Sequence, residues 1–145
     1  MRQGFTGTQR GMTRPQASRL RETLKPGEFH HGDCIGSDEQ AHVIAESLGL
    51  STILHPPVNT AKRAYCVVHK GCILRSKDYL DRNEDIVKVT EVLIAIPCEY
   101  EERLRSGTWA TIRFARKLGR PIWIIFPDGS VKKENEPAPS FFATV

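Results

Sequence analysis

The run Val92-Leu93-Ile94-Ala95-Ile96 is apolar at every position, with no alternation. A strand with one wet face alternates, so a continuous run of this kind is buried on both faces, inside a parallel sheet covered by helices on two sides. The rest of the chain supplies the covering. A helix is predicted over Lys77–Val89, with Leu80, Ile86 and Val87 inward, and another from Ser106-Gly107-Thr108 through Leu118. The strand Ile122–Phe126 follows Gly119.

The same unit recurs towards the N-terminus. Gln3–Thr6 reads as a strand that stops in Gly7-Thr8-Gln9-Arg10-Gly11, and Thr13 with Gln16 has the spacing of a capping box opening a helix that ends at Pro26-Gly27. Phe29–His31 is the next strand. Gly32-Asp33-Cys34-Ile35-Gly36 is its turn, and Ser37 with Gln40 is expected to cap a helix that Gly49 ends. Ser51–Leu54 is a further strand. Strict alternation of strand and helix predicts an α/β, doubly wound, Rossmann-like fold: a five-stranded parallel sheet in the order 3-2-1-4-5 with helices on both faces. The chain of 145 residues, 39% of them hydrophobic, suits one domain over residues 1–127. Residues 58–75, which show no period, are expected to form a long loop or lid. Residues 128–145, Phe141-Phe142 included, are expected to be a peripheral or mobile tail.

Composition narrows the function classes. No segment approaches the roughly 20 apolar residues of a membrane span, and the N-terminus lacks the order of a secretion signal, so a soluble cytoplasmic protein without a membrane partner is expected. Four scattered cysteines read as reduced thiols. Cys66, His69 and Cys72, with His55, do not have the spacing of a common zinc finger or ribbon, and no metal is expected. The net charge of +4 favours an anionic partner. Nucleic acid is not expected, because no track interleaves basic and aromatic residues.

Open doubly wound sheets bind ligands beyond the carboxyl ends of the strands. Three turns meet that edge: Gly7-Thr8-Gln9-Arg10, Gly32 to Asp38, and Arg105-Ser106-Gly107-Thr108. Each precedes a helix start, where free N–H groups and missing glycine side chains admit a phosphate. Arg10, Arg82 and Arg105 are candidates for charge-assisted bonds to it. Asp33 and Asp38 are candidate contacts to a ribose, and Asp33 and Glu102 are the candidate catalytic acids. Trp109 is the candidate for stacking on a base.

These segments resemble the SLOG superfamily of Rossmann-like proteins, which includes the lonely-guy phosphoribohydrolases and the DNA-processing DprA/Smf proteins. The chain is most similar to small stand-alone YspA-like members. The resemblance spans Gly4–Phe126. It is carried by Gly4-Phe5-Thr6-Gly7-Thr8 with Arg10, by His31-Gly32-Asp33-Cys34-Ile35-Gly36-Ser37-Asp38, and by Arg82-Asn83 with Ser106-Gly107-Thr108. It implies that Gly7, Thr8, Gly36, Ser37, Gly107 and Thr108 line a nucleotide phosphate site faced by Arg82 and Asn83, and that the protein forms a homodimer. It also implies a nucleotide or NAD-derived ligand that is sensed, sequestered or carried, with no cofactor required. Ala110 and Thr111 stand near where the lonely-guy enzymes carry a glutamate, so binding without base release is the leading expectation. A phosphoribohydrolase acting on nucleoside monophosphates is the second, and DprA-like binding of single-stranded DNA the third.

Overall fold

The computed structural model describes residues 1–136. Its elements are β1 (Arg2–Gly7), α1 (Arg14–Thr23), β2 (Glu28–His31), α2 (Ser37–Ser47), β3 (Ser51–Leu54), a 3-10 turn (Thr60–Lys62), β4 (Gly71–Ile73), α3 (Tyr79–Val89), β5 (Val92–Ile96), α4 (Gly107–Lys117), β6 (Ile122–Ile125) and β7 (Val131–Glu134). The strands form one sheet in the order β4-β3-β2-β1-β5-β6-β7, parallel except for the antiparallel β6–β7 pair.

The sheet therefore has seven strands where five were expected, and its order is longer than 3-2-1-4-5 at both ends. The added edges are short. Gly71–Ile73 is exposed throughout, so no buried face marks it as a strand. Val131-Lys132-Lys133-Glu134 is mostly charged and pairs with β6 through backbone bonds that composition does not encode. An edge strand needs only one row of backbone partners and little apolar surface. Both additions fall in segments expected to be a loop and a tail; Phe141 and Phe142 lie outside the described residues.

Two cores cover the two faces. Leu20 of α1, Leu24 at its C-cap, and Ala41, Ile44 and Ala45 of α2 pack with Phe5, Phe29, Ile94 and Ile96. On the other face Val87 of α3 and Trp109, Ile112 and Ala115 of α4 pack on Leu93, Ala95, Ile122 and Ile124. All five residues of β5 are buried, which its unbroken apolar run requires. The capping box at Thr13 and Gln16 forms, and the Gln16 amide also donates to the carbonyls of Pro97 (2.8 Å) and Ile125 (3.1 Å), tying α1 to the ends of β5 and β6.

Strand β1 is the centre of the winding: the chain runs outward to β2 and β3 on one side and returns to β5 on the other. The turns after β1 and β5 therefore diverge and leave a crevice beyond the Gly7–Ile96 pair. Among the described residues no helix is long and apolar enough to cross a membrane.

Candidate functional site

The crevice is an open cleft of about 410 Å³. Gly7, Thr8, Gln9 and Arg10 form one wall, Ser106, Gly107 and Thr108 the other, and Tyr79, Cys98, Glu99 and Arg105 complete it. The β1 turn is held in place by the Thr8 N–H, which donates to the Ile96 carbonyl at 2.9 Å. Ser106 is the N-cap of α4, and its hydroxyl accepts from the Trp109 N–H at 3.2 Å. The first N–H groups of a helix have no intrahelical acceptor, so those of Gly107 and Thr108 are available to a ligand. Among the described residues Arg10 and Arg105 form no ion pair. Glu99 is held by the Trp109 indole N–H at 3.0 Å and the Cys98 thiol at 3.2 Å.

The other expected site residues divide into two groups. Gly32, Asp38, Arg82 and Asn83 border a small adjoining chamber of about 20 Å³ that shares Gly7, Gln9 and Tyr79 with the cleft. Arg82 is buried. Its guanidinium donates to the carbonyls of Gly32 and His55, to Asn83 Oδ1 at 2.8 Å, and to the Cys34 sulfur at 3.5 Å. It is thus a structural clamp between β2, β3 and α3, and it borders the chamber and not the cleft. Asp38 is buried beside it; burial pushes its carboxyl up to about 6, against the pull of the Arg82 charge. The Cys34 thiol is likewise pushed up by burial.

Gly36, Ser37 and Asp33 lie outside the cleft. Gly36, not Ser37, is the N-cap of α2, with φ 93°, and a β-carbon there would overlap the Gln9 backbone. Ser37 is fully buried: its hydroxyl donates to the Thr8 carbonyl at 2.6 Å and its N–H to the same oxygen at 3.1 Å. The chain's own β1 turn therefore closes the N-terminus of α2. Asp33, with φ 51° and no exposed surface, accepts from Arg63 Nε (3.1 Å) and the Cys66 N–H (2.9 Å), while its carbonyl accepts from the Ala64 N–H (2.8 Å). It pins the long connection to the sheet and touches neither space. Glu102 sits on the outer surface between Arg113 (3.0 Å) and Arg116 (2.7 Å), which hold its carboxyl below the usual range. Neither candidate acid faces the cleft. Trp109 is 3% exposed and packs in the α4 core, so it offers no face to a base.

The sequence reasoning overlooked Tyr79, which borders both spaces. Its only signal was an aromatic residue at the start of the helix after the aperiodic segment. It also overlooked two buried histidine pairs on opposite faces of β2: His30 Nδ1 to His55 Nε2, and His31 Nε2 to His42 Nδ1, each 2.9 Å. Burial lowers His55 to about 4 and His31 well below its ordinary value. His31, His42 and Cys66 bring ligand-type atoms within 4.8 Å of one another. The proton arrangement opposes a metal there. The Asp33 N–H donates to His31 Nδ1 (2.9 Å), which puts the ring proton on Nε2, directed at His42 Nδ1, and leaves His42 Nε2 to donate to the Val67 carbonyl (2.8 Å). Each of the four ring nitrogens is occupied by this chain. Cys66, His69 and Cys72 do not converge with His55.

No protein-family model and no curated protein matches the chain. The solved X-ray structure of TM1055, a target of the Northeast Structural Genomics Consortium, is similar, with a TM-score of 0.60 at 18% identity, covering 84% of this chain and 72% of that one. That likeness supports the α/β fold with a mostly parallel sheet seen here and is compatible with a Rossmann-like winding.

Proposed function

We propose that this protein binds a nucleotide-type phosphate in the cleft between the β1 turn and the N-terminus of α4. The observation that carries the reading is the pair Arg10 and Arg105, two guanidinium groups free of acid partners among the described residues, bordering the same cleft as the Gly107 and Thr108 N–H groups. A helix N-terminus and two unpaired forked cations complement a dianion far better than a neutral sugar or an amino acid. The cleft's position at the reversal of strand order and the resemblance of its turns to the SLOG superfamily support the same reading. The protein is a binder in this account, since Glu99, the acid among the residues that line the cleft, is engaged by Trp109 and Cys98.

The test compares melting temperatures in inorganic phosphate, adenosine monophosphate and adenosine. Adenosine monophosphate is expected to raise the melting temperature by several degrees, inorganic phosphate by less, and adenosine least, because a ligand that binds only the native state stabilises it more the more tightly it binds. Equal shifts with nucleotide and nucleoside defeat a phosphate-centred site. Release of adenine during the same incubation promotes hydrolysis over binding.

A further inference from the structure

Tyr79 separates the phosphate cleft from a chamber whose walls are built for more than it holds. The chamber's 20 Å³ admits about one water, yet Asp38, Arg82 and Asn83, all polar and all buried, converge on it. The phenol ring of Tyr79 lies against the Arg82 guanidinium, 5.0 Å from carbon to ring centroid. The Asn83 side chain, held by Arg82 Nε at 2.8 Å, borders the same chamber as the phenol ring. The phenol oxygen rests on Gly107, where a β-carbon would overlap it. A planar ring lying over a guanidinium, with a side-chain amide bordering the same space, is also how proteins hold an unstacked nucleobase.

The ring is placed to move. Tyr79 is 42% exposed and is the first residue of α3, whose N-cap Asp78 makes no side-chain cap bond. The helix start that carries the ring therefore lacks the bond that commonly fixes such a turn. Rotation of the side chain towards solvent removes the partition between the two spaces, and the walls left behind keep their geometry because Arg82 is fixed by the carbonyls of Gly32 and His55.

We propose that Tyr79 is a gate whose phenol ring occupies a nucleobase subsite formed by Arg82 and Asn83, and that turning it outward joins this subsite to the phosphate cleft. The inference rests on the phosphate reading above and adds to it the place that receives the base. It also gives Gly107 a role as the seat of the gate.

Cys34, buried and bordering the chamber, reports the gate without any ligand. The experiment measures iodoacetamide labelling of Cys34 by peptide mass spectrometry, with the exposed Cys72 as internal reference, in the parent, Tyr79→Ala, Tyr79→Phe and Gly107→Ala proteins. Labelling is expected to rise at least tenfold in Tyr79→Ala, to rise in Gly107→Ala because the new methyl displaces the phenol, and to stay near the parent rate in Tyr79→Phe, which keeps the ring. Adenosine monophosphate and adenosine are expected to slow Cys34 labelling in Tyr79→Ala, and inorganic phosphate is not. Unchanged Cys34 labelling in both Tyr79→Ala and Gly107→Ala, with circular dichroism matching the parent, overturns the gate. Faster labelling that neither adenosine compound slows overturns the base subsite. Protection by adenosine, with no thermal shift from either phosphate compound, keeps the gate and rejects the phosphate reading instead.

Discussion

The helix starts after β2 and β5 look alike as sequence, one reading Gly36-Ser37 and the other Ser106-Gly107-Thr108, and the folded chain uses them in opposite ways. At α2 the Thr8 carbonyl accepts from both the N–H and the hydroxyl of Ser37, and Gln9 closes over Gly36. At α4 the serine is the cap, the next two N–H groups stay available, and Arg10 and Arg105 border them. A glycine beside a hydroxyl residue at a helix start thus marks close backbone approach, and whether the approaching group is a ligand or the chain itself is decided by the neighbouring turn. In this protein the β1 turn does both, sealing one helix start and forming the near wall of the other.

The largest expected effect separates the two glycines. Gly36→Ala places a side chain at φ 93° and against the Gln9 backbone, so a loss of about 3 kcal/mol or more is expected, lowering the melting temperature by roughly 6–12 °C for a chain of this size. Gly107→Ala meets only the movable Tyr79 side chain, and its loss is expected to stay below about 1 kcal/mol. Similar losses for both would erase the distinction. Next in size is Asp33→Asn. It leaves Arg63 without a carboxylate partner at a fully buried position, at an expected cost of about 2–3 kcal/mol, while nucleotide affinity stays within about twofold, a change worth under 0.5 kcal/mol. A variant that folds as stably as the parent but loses nucleotide would return Asp33 to the site.

Acidification probes the folded chain more gently, because two opposed groups titrate, His55 after β3 and Asp38 in α2. His55 has its value lowered by burial to about 4, so its stabilising contribution is complete above the unfolded value of about 6.5 and is lost as pH falls towards 4, by roughly 3 kcal/mol. Asp38, raised by burial to about 6, works in reverse: its contribution is complete below the unfolded value near 3.8 and is lost as pH rises through 6, by a similar amount of about 3 kcal/mol. His31, also lowered by burial, tips the balance. The parent is expected to lose stability between pH 7 and 4, and Asp38→Asn, which removes the opposing slope, to lose about 2–3 kcal/mol more over the same range. Denaturant melts of both proteins across that range decide it; parallel curves would show that Asp38 does not titrate there.

The legible part of the fold was the part that burial writes into sequence. The unbroken run of β5, the apolar faces of α1, α2 and α4, and the Thr13–Gln16 box all follow from side chains. Strands β4 and β7 follow from backbone pairing at edges, which exposed or charged residues do not announce. The same divide runs through the site. Glycine turns at strand ends placed Gly7, Thr8 and Ser106 to Thr108 on one cleft. Asp33, Ser37 and Glu102 have the chemistry of a site, but their partners Arg63, Thr8 and Arg116 come from elsewhere in the chain, and no local spacing foretells such pairings.

The smallest effect in stability is the most direct test of the α4 side. Arg10→Gln and Arg105→Gln each remove an exposed charge that contributes no ion pair among the described residues, so each melting temperature should stay within about 2 °C of the parent. Binding is where they should differ. A charge-assisted bond from a guanidinium to a phosphate at an open cleft contributes about 1–2 kcal/mol, so each change should weaken adenosine monophosphate by roughly tenfold. The double variant should approach a hundredfold if the two groups hold the phosphate independently. High salt should narrow the gap between parent and variants, because the lost term is Coulombic and exposed. Calorimetric titration at two ionic strengths measures both. If the double variant binds adenosine monophosphate like the parent at low salt, the open helix start is not where the anion sits, and the contrast between α2 and α4 is one of packing alone.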